Sequence, residues 1–435
     1  MASGTAQGRN LAIDMLRALT MTLMIFVNDF WKVHDVPQWM EHAKWGVDFM
    51  GLADFVYPAF LFCVGMSVPY AIENRYRKGY SGESTAGHIL LRTLSLLIMG
   101  AFIGNSEARL APDFTLYSIG FYWLAAVASF FLVWNAYPKD SSRKQSVLFT
   151  CLKILGGICL LLLALTYRKP DGKVFDTSFS ILGGIAWTYL VAATIYFFCR
   201  DNLRKLLPLW IAVLAVCVLT QRMRPEMGGT AILDFPRPNF LEGMLRVLHI
   251  GTGGGVFLAL SGLLVSVVTE KLNSGSTQSV IPGQQSVIPG QQSVIPGLTG
   301  NLSQGRRTLI GLAAAAAALL LGILTRHWWI AAKLGITLPC CFFVSAAAIG
   351  LYTLLRWLNA RGLSHWFVVI RPAGTATLTT YMIPYVFYGF ADITGIVLPD
   401  WLTHGTMSLV NCFCFALIVV AVTGLLQRLH LKLKV

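Results

Sequence analysis

Long apolar runs separated by short polar segments dominate the 435-residue chain. Twelve of these runs approach the ~20 apolar residues that a helix needs to cross a bilayer. They span residues 11–30, 52–72, 89–106, 117–136, 148–166, 180–199, 206–220, 247–268, 308–325, 334–355, 374–393 and 404–426. The pattern predicts an all-α polytopic membrane protein with about 11 to 12 transmembrane helices in one bundle.

The composition agrees with this prediction. Hydrophobic residues make up 55% of the chain and charged residues 12%, whereas an average soluble domain carries about 25% charged residues. The first apolar run contains Asp14 and Arg17 and has no clear small-residue cleavage site. We therefore interpret it as a retained span rather than a signal peptide.

Basic residues are concentrated in alternate loops between the predicted spans. The positive-inside rule places these loops and both termini in the cytoplasm, and the plasma (inner) membrane is expected if the protein is bacterial. The formal net charge of +14 therefore needs no nucleic acid partner. The clusters are Arg75, Arg77, Lys78; Lys139, Arg143, Lys144; Arg200, Arg204, Lys205; Lys271, Arg306, Arg307; Arg356, Arg361, Arg371; and Arg428, Lys432, Lys434.

One segment departs from the membrane pattern. The unit QSVIPGQ repeats from Gln278 to Gly297, and its Pro-Gly pair breaks helices. The Val-Ile pair in each unit is too little apolar content to offset the entropy of ordering. We predict a flexible cytoplasmic linker over 271–306, which joins helices 1–8 in 1–270 to the remaining helices of the same domain in 307–435.

Cysteine and histidine patterns predict no metal site. The nine cysteines lie within or beside apolar runs, where the thiol packs as a small hydrophobic group. No paired CxxC motif of the zinc type occurs, and the outer histidines His34, His249, His327 and His404 match no metal-ligand spacing. A disulfide framework is not expected either.

Ionisable residues inside predicted spans are costly and often functional. Asp14 and Arg17 are three residues apart, so they can pair on one helix face, and Asn28 falls on the same broad stripe. The stripe is either a local ion pair or the border of a polar pathway. Arg92, at the start of the third run, is either a membrane anchor or a phosphate ligand, since the arginine fork matches phosphate geometry.

The stretch EHAKWGVDFMGLAD, residues 41–54, places polar groups at the mouth of the second span. Histidine titrates near neutral pH and acts as a general base or a nucleophile, and a carboxylate can orient its ring. His42 and Asp54 are therefore candidates for an acyl-transfer dyad, in competition with the other outer histidines.

Two neighbouring stretches resemble the heparan-α-glucosaminide N-acetyltransferase family and its bacterial relatives, the domain of unknown function 5009 group. They are LMIFVNDF (23–30) and EHAKWGVDFMGLADFVYPAFLFCVGMSV (41–68), with similar residues at LRTLSLL (91–97), TRHWW (325–329) and PAGTATLTTYMI (372–383). The positions that match the family pattern are Asp14, Arg17, Val27-Asn28, His42-Ala43, Trp45, Ala53-Asp54, Pro58, Phe60-Leu61-Phe62, Gly65 and Ser67. Ala18 stands where the family has glycine, and the threonines around 375–377 replace an asparagine.

The resemblance implies a transmembrane acetyltransferase with a catalytic loop at 31–54. Acetyl-CoA would enter from the cytoplasm, and its acetyl group would pass to a sugar or glycan amine or hydroxyl on the outer face. The family's active histidine maps onto His42, with Asn28 as its polar partner and Asp54 beside it. The CoA phosphates would meet basic residues at the cytoplasmic side, with the polar groups of helix one along the channel. These candidate cofactor-binding residues are Arg92, Arg75, Arg77, Lys78, Arg17 and Asp14.

Several alternatives stay open at this stage. A dozen helices with intramembrane charges also suit a proton-coupled sugar or small-solute transporter, although the two halves show no convincing internal repeat. His42 either deprotonates the acceptor or carries the acetyl group transiently. The acceptor, N- versus O-acetylation and the oligomeric state, with a homodimer as one alternative, are not specified.

Overall fold

Helices form the whole of the regular structure. The computed structural model describes residues 10–107, 117–138, 142–169, 172–176, 180–234, 240–248, 250–251, 253–274 and 298–435, and within these ranges it contains fifteen α-helices and no β-strand. The helices are α1 Leu11–Asn28, α2 Leu52–Arg77, α3 Gly82–Glu107, α4 Ile119–Trp134, α5 Arg143–Thr166, α6 Ile181–Cys199, α7 Leu203–Thr220, α8 Phe240–Val247, α9 Gly255–Ser274, α10 Leu298–Thr325, α11 Leu338–Ala360, α12 Phe367–Thr375, α13 Thr377–Thr394, α14 Asp400–Thr403 and α15 Gly405–Arg428.

The predicted all-α membrane fold is confirmed. Ten helices in the described ranges are long and apolar enough to cross a bilayer. The other two predicted spans also contain helices, α4 and α13, of which α4 is apolar but has only 16 residues. The chain is a multi-pass membrane protein.

One predicted span begins later than the sequence pattern suggested. The run at 247–268 forms α9 only from Gly255, and the short helix α8 ends at Val247. A glycine-rich stretch separates the two helices, and Gly251 within it has a φ of +80°. This left-handed conformation suits glycine and is incompatible with continuation of a helix.

Helices α1 and α2 form the centre of the bundle. Both are mostly buried, and α1 packs against α2, α11, α12, α13 and α15. By contrast, α5, α7 and α10 expose most of their leucine and isoleucine side chains. This arrangement suits helices that face lipid around a packed core.

Two glycines bring α2 and α9 into close contact. A Cβ atom on Gly65 would overlap the carbonyl oxygen of Ala259, and one on Gly262 would overlap the carbonyl oxygen of Phe62. Small residues at such crossings let two backbones approach each other. The crossing fixes the position of α2, the helix whose first turn carries Asp54.

The segments that border the predicted linker are helical. α9 extends to Ser274 and α10 begins at Leu298, so both enter the predicted range 271–306. The repeat at 278–297 lies outside the described residues, and its flexibility stays a prediction.

Candidate active site

Asp54 joins the loop between α1 and α2 (33–51, hereafter the α1–α2 loop) to the start of α2. One carboxylate oxygen, Oδ1, lies 2.9 Å from Nδ1 of His42. The other, Oδ2, accepts the backbone N–H groups of Ala43 at 2.9 Å and of Gly51 at 3.1 Å. The side chain is almost fully buried, and its charge is compensated by these three donors.

The sequence dictates this fold-back of the loop. The first N–H groups of a helix have no partner within the helix, and here Leu52 and Ala53 donate theirs to the carbonyl oxygens of Trp39 and Met40, at 2.8 and 3.1 Å. Gly51 has no side chain to block the approach, whereas a Cβ there would overlap the carbonyl oxygen of Glu41. The loop therefore lies tightly against the helix end.

The pair has a defined polarity. An ionised carboxylate only accepts hydrogen bonds, so Nδ1 of His42 carries a proton and donates the hydrogen bond to Asp54. In the neutral ring the opposite nitrogen, Nε2, is then unprotonated, and it is directed away from Asp54. The imidazole is 45% exposed, so its free nitrogen is accessible to a reactant. This is the arrangement of a general base held by a carboxylate.

Another aspartate, Asp48 of the α1–α2 loop, binds the loop that precedes α11. It pairs with Arg224 and with Arg326, the latter at 3.1 Å, and it accepts the N–H of Ala331 at 2.8 Å. Burial opposes ionisation of Asp48, but the Ala331 N–H and the two guanidinium groups hold the pKa of its carboxyl below its usual value of 3.8. Asp48 thus connects segments from both halves of the chain.

That connection brings Lys333 to the dyad. Its Nζ atom lies 3.3 Å from Nδ1 of His42. Burial lowers the pKa of Lys333 below its usual 10.5, an effect that the negative charge of Asp54 partly opposes.

A cavity of about 920 Å³ has Lys333 in its wall, whereas neither His42 nor Asp54 lines it. Other wall residues are Trp45 of the α1–α2 loop, Tyr57 of α2, Arg222 after α7 and Arg246 of α8. The volume is in the range of small-molecule sites.

Asn28 lines a different cavity of about 760 Å³. Ile181 of α6 borders both cavities, so they adjoin. No hydrogen bond joins Asn28 to His42 in the described chain. Five aromatic residues line this second cavity: Trp31, Trp123, Tyr381, Tyr385 and Tyr388.

The predicted pair in helix one is present. Nη2 of Arg17 lies 2.5 Å from Asp14, its Nε donates to the Gly374 carbonyl at 2.8 Å, and its Nη1 approaches Ser67 at 3.4 Å. These contacts tie α1 to α2 and α12. Ser67 is thirteen residues along α2 from Asp54, or about 20 Å at ~1.5 Å per residue.

The remaining basic candidates lie away from His42. Arg75 is twenty-one residues from Asp54 on α2, about 30 Å, and it donates to Ser84 at 3.1 Å. Arg77 and Lys78, at the same helix end, are exposed. Arg92 lies over the ring of Tyr189, 4.7 Å from its centroid.

Lys434 forms a cluster of cations with Arg75 and Arg92, hereafter the cation cluster. Arg75, Arg92 and Lys434 all act electrostatically on His88. None of the cations predicted to bind CoA lines either large cavity.

The described residues contain no group of three or more His, Cys, Asp or Glu side chains placed to hold a metal. His34 and His404 stack with ring centroids 4.7 Å apart, and His327 packs against Trp328. His249 lies outside the described residues.

Sequence reasoning missed the contribution of the C-terminal half. Arg326 falls in the TRHWW stretch, which carried a weak family signal, but Lys333 is a single lysine in a loop and no local pattern marks it. It is 291 residues from His42, and only the folded chain brings the two together.

Comparison with known proteins identifies the family. A family model described as heparan-alpha-glucosaminide N-acetyltransferase, catalytic, matches residues 9–243. The chain belongs to this family. The matched part includes Asn28, His42 and Asp54, and it confirms the resemblance found in the sequence. Lys333 and Arg326 lie beyond it.

Two curated relatives carry the same description. A heparan-alpha-glucosaminide N-acetyltransferase of Mus musculus is 28% identical over 155 residues, which is 33% of this chain and 22% of the relative. That of Homo sapiens is 29% identical over 105 residues, 23% of this chain and 14% of the relative. The alignments thus cover less than a quarter of either relative.

Proposed function

We propose that this protein transfers the acetyl group of acetyl-CoA to an amino or hydroxyl group of a sugar or glycan on the outer face of a membrane. Family membership and the acetyltransferase names of the relatives support the reaction class. The loop charges support the location, with both termini in the cytoplasm and His42 at the outer face.

The observation that carries the proposal is the His42–Asp54 pair, which Lys333 connects to a cavity of substrate size. Asp54 holds the Nδ1–H tautomer, so Nε2 takes the proton from the attacking amine or hydroxyl of the acceptor. The acetyl carbon bonds to the acceptor, and the bond from carbon to the CoA sulfur breaks. A covalent variant places the acetyl group on Nε2 first and transfers it to the acceptor in a second step.

Asn28 has a separate part in this proposal. Its amide lines the neighbouring cavity and has no hydrogen-bond partner among the described residues. An amide N–H aimed at the thioester oxygen stabilises the negative charge that develops there. The adjoining cavities then hold donor and acceptor on either side of Ile181.

Arg92 and Arg75 are the proposed contacts for the CoA phosphates. Both belong to the cation cluster around His88, at the end of α2 that we assign to the cytoplasm. Arg17 is already held by Asp14, Ser67 and Gly374, so its proposed role is to join helices along the route.

Equilibrium binding tests the phosphate contact. Arg92→Ala should raise the Kd for CoA by about tenfold or more, the equivalent of one charged hydrogen bond. The exposed Arg361 offers a matched control, and Arg361→Ala should bind as the wild type does. An unchanged Kd for Arg92→Ala would leave Arg92 as a packing partner of Tyr189.

Proteoliposomes test the function and its direction together. With labelled acetyl-CoA outside and glucosamine trapped inside, wild-type protein should produce acetylated glucosamine inside the vesicles. Protein-free vesicles control for leakage. Acetylation only when donor and acceptor share one compartment would overturn the transmembrane direction, and no acetylation in any arrangement would overturn the function.

A further inference from the structure

Lys333 is the charged side chain nearest to the dyad that the proposed mechanism leaves without a task. Its amine is 3.3 Å from Nδ1 of His42 and forms part of the wall of the 920 Å³ cavity. Nδ1 already donates its proton to Asp54, so it cannot accept one from Lys333. The amine of Lys333 therefore lies against His42 without donating a hydrogen bond to Nδ1.

The loop that carries Lys333 is fixed on both sides of it. Two residues earlier, Ala331 donates its N–H to Asp48 at 2.8 Å. Three residues later, the Ile336 carbonyl accepts from the buried Gln221 amide at 3.2 Å, and the same amide oxygen accepts the Leu338 N–H at 2.8 Å. Such support from neighbouring groups is what holds a reactive side chain in register.

The titratable groups around the amine come from three elements. His42 belongs to the α1–α2 loop, Asp54 to α2, and the Cys340 thiol to α11. Burial lowers the pKa of Lys333 below 10.5, which brings it closer to that of an alkyl thiol, about 8.5. A proton donor works best when its pKa is near the operating pH and near that of the group it protonates.

We infer that Lys333 is a further catalytic residue, the general acid that protonates the sulfur of CoA as the thioester breaks. The inference rests on the proposed function. His42 and Lys333 then form an acid–base pair, in which one removes a proton from the acceptor and the other supplies one to the leaving group.

The step balances as follows for an amine acceptor. The acceptor nitrogen bonds to the acetyl carbon and gives its proton to Nε2 of His42. The carbon–sulfur bond breaks, and its electron pair stays on sulfur, which takes a proton from Nζ of Lys333. CoA leaves as the thiol. The cycle closes when the exposed imidazole releases its proton to solvent and the neutral amine of Lys333 takes one back.

Donors with different leaving groups test this role. Acetyl-CoA releases an alkyl thiol that needs a proton, whereas the acetyl thioester of 4-nitrothiophenol releases an acidic thiol that leaves as the anion. Lys333→Met should lose ~10²–10⁴-fold in single-turnover transfer from acetyl-CoA, but less than about tenfold from the aromatic thioester. His42→Ala should lose activity with both donors. Lys205→Met, at an exposed lysine of α7, should retain wild-type rates.

Lys333→Arg separates proton donation from charge. A guanidinium keeps the charge and does not deprotonate at accessible pH, so this variant should also be slow with acetyl-CoA and nearly normal with the aromatic thioester. Full activity of Lys333→Arg with acetyl-CoA would overturn the general-acid role in favour of charge alone.

The pH profile gives an independent readout. A general acid must be protonated, so the wild-type rate should fall as pH rises through the pKa of Lys333, below 10.5. Lys333→Met should lack this alkaline limb. If the wild type transfers acetyl groups and folded Lys333→Met is equally active, or loses activity equally with both donors, the general-acid role of Lys333 is overturned and the proposed function stands. If the wild type transfers no acetyl group, the proposed function is overturned as well.

Discussion

Asp54 shows how much of the site depends on one carboxylate. It is buried, and its two oxygens accept hydrogen bonds from His42, Ala43 and Gly51. Burying a charge is costly unless donors surround it, so the loop and the helix end must close on this group together. The same contacts fix which nitrogen of His42 is free to act.

Asp54→Asn should reverse the tautomer of His42. An asparagine keeps the size of the side chain, but its NH₂ group would donate to Nδ1 and drive the proton to Nε2. The rate of acetyl transfer should fall by ~10²-fold or more, as when a comparable aspartate is replaced in catalytic triads. CoA binding should persist. A rate within twofold of wild type, measured in single turnover, would restrict Asp54 to capping α2.

The residues in contact divide into those that sequence could find and those that it could not. His42 and Asp54 share one short stretch with a recognisable pattern, so their pairing was predictable. Lys333 was not, because its approach depends on two long-range contacts of its loop, through Asp48 and Gln221. Asn28 was correctly placed near the end of α1, but its position in a separate cavity depends on how α6 and α13 pack beside it.

At the scale of elements, two loops are held together across the bundle. Asp48 of the α1–α2 loop binds Arg326 and Ala331 of the loop before α11, and Arg224 after α7. Arg224 also donates its N–H to the carbonyl of Trp328 at 2.8 Å. These contacts make the two loops one structural unit, and its stability depends on the charge of Asp48.

The charge of Asp48 makes the stability of these two loops depend on pH in the acid range. Because its folded-state pKa is depressed, Asp48 contributes stability above its usual pKa of 3.8, and the contribution disappears as pH falls through the lower, folded value. Asp48→Asn should lower Tm at pH 6 and flatten the loss of Tm below pH 4. Asp400→Asn, at an exposed aspartate on the same side, is the control.

Thermal unfolding in detergent across this range measures the effect. Parallel pH curves for wild type and Asp48→Asn would show that the Asp48 contacts do not stabilise the fold.

The helices themselves were largely predictable from apolar runs, because a span must satisfy all its backbone groups internally. The start of α9 was not, because the apolar count continues through a glycine-rich stretch in which the backbone leaves the helical conformation. Short helices such as α8, α12 and α14 also escaped the pattern, since a bilayer-length window averages over them.

At the scale of the whole molecule, the site draws on both halves of the chain. The family match ends at residue 243, yet Lys333 reaches the dyad and Tyr381, Tyr385 and Tyr388 line the cavity of Asn28. Family membership favours the proposed acetyltransferase function over the transporter alternative that the helix count had left open. The C-terminal half thus contributes residues to the candidate site.

Single-turnover acetyl transfer by wild type and His42→Ala tests whether His42 is the catalytic base. His42→Ala should lose ~10²–10⁴-fold or more in rate, while its Kd for CoA and its Tm stay close to wild type. His404→Ala, at an exposed histidine on the same side of the bundle, should keep its activity. Near-normal transfer by a folded His42→Ala protein would show that His42 is not the base, and His34, His249 and His327 would then be the candidates.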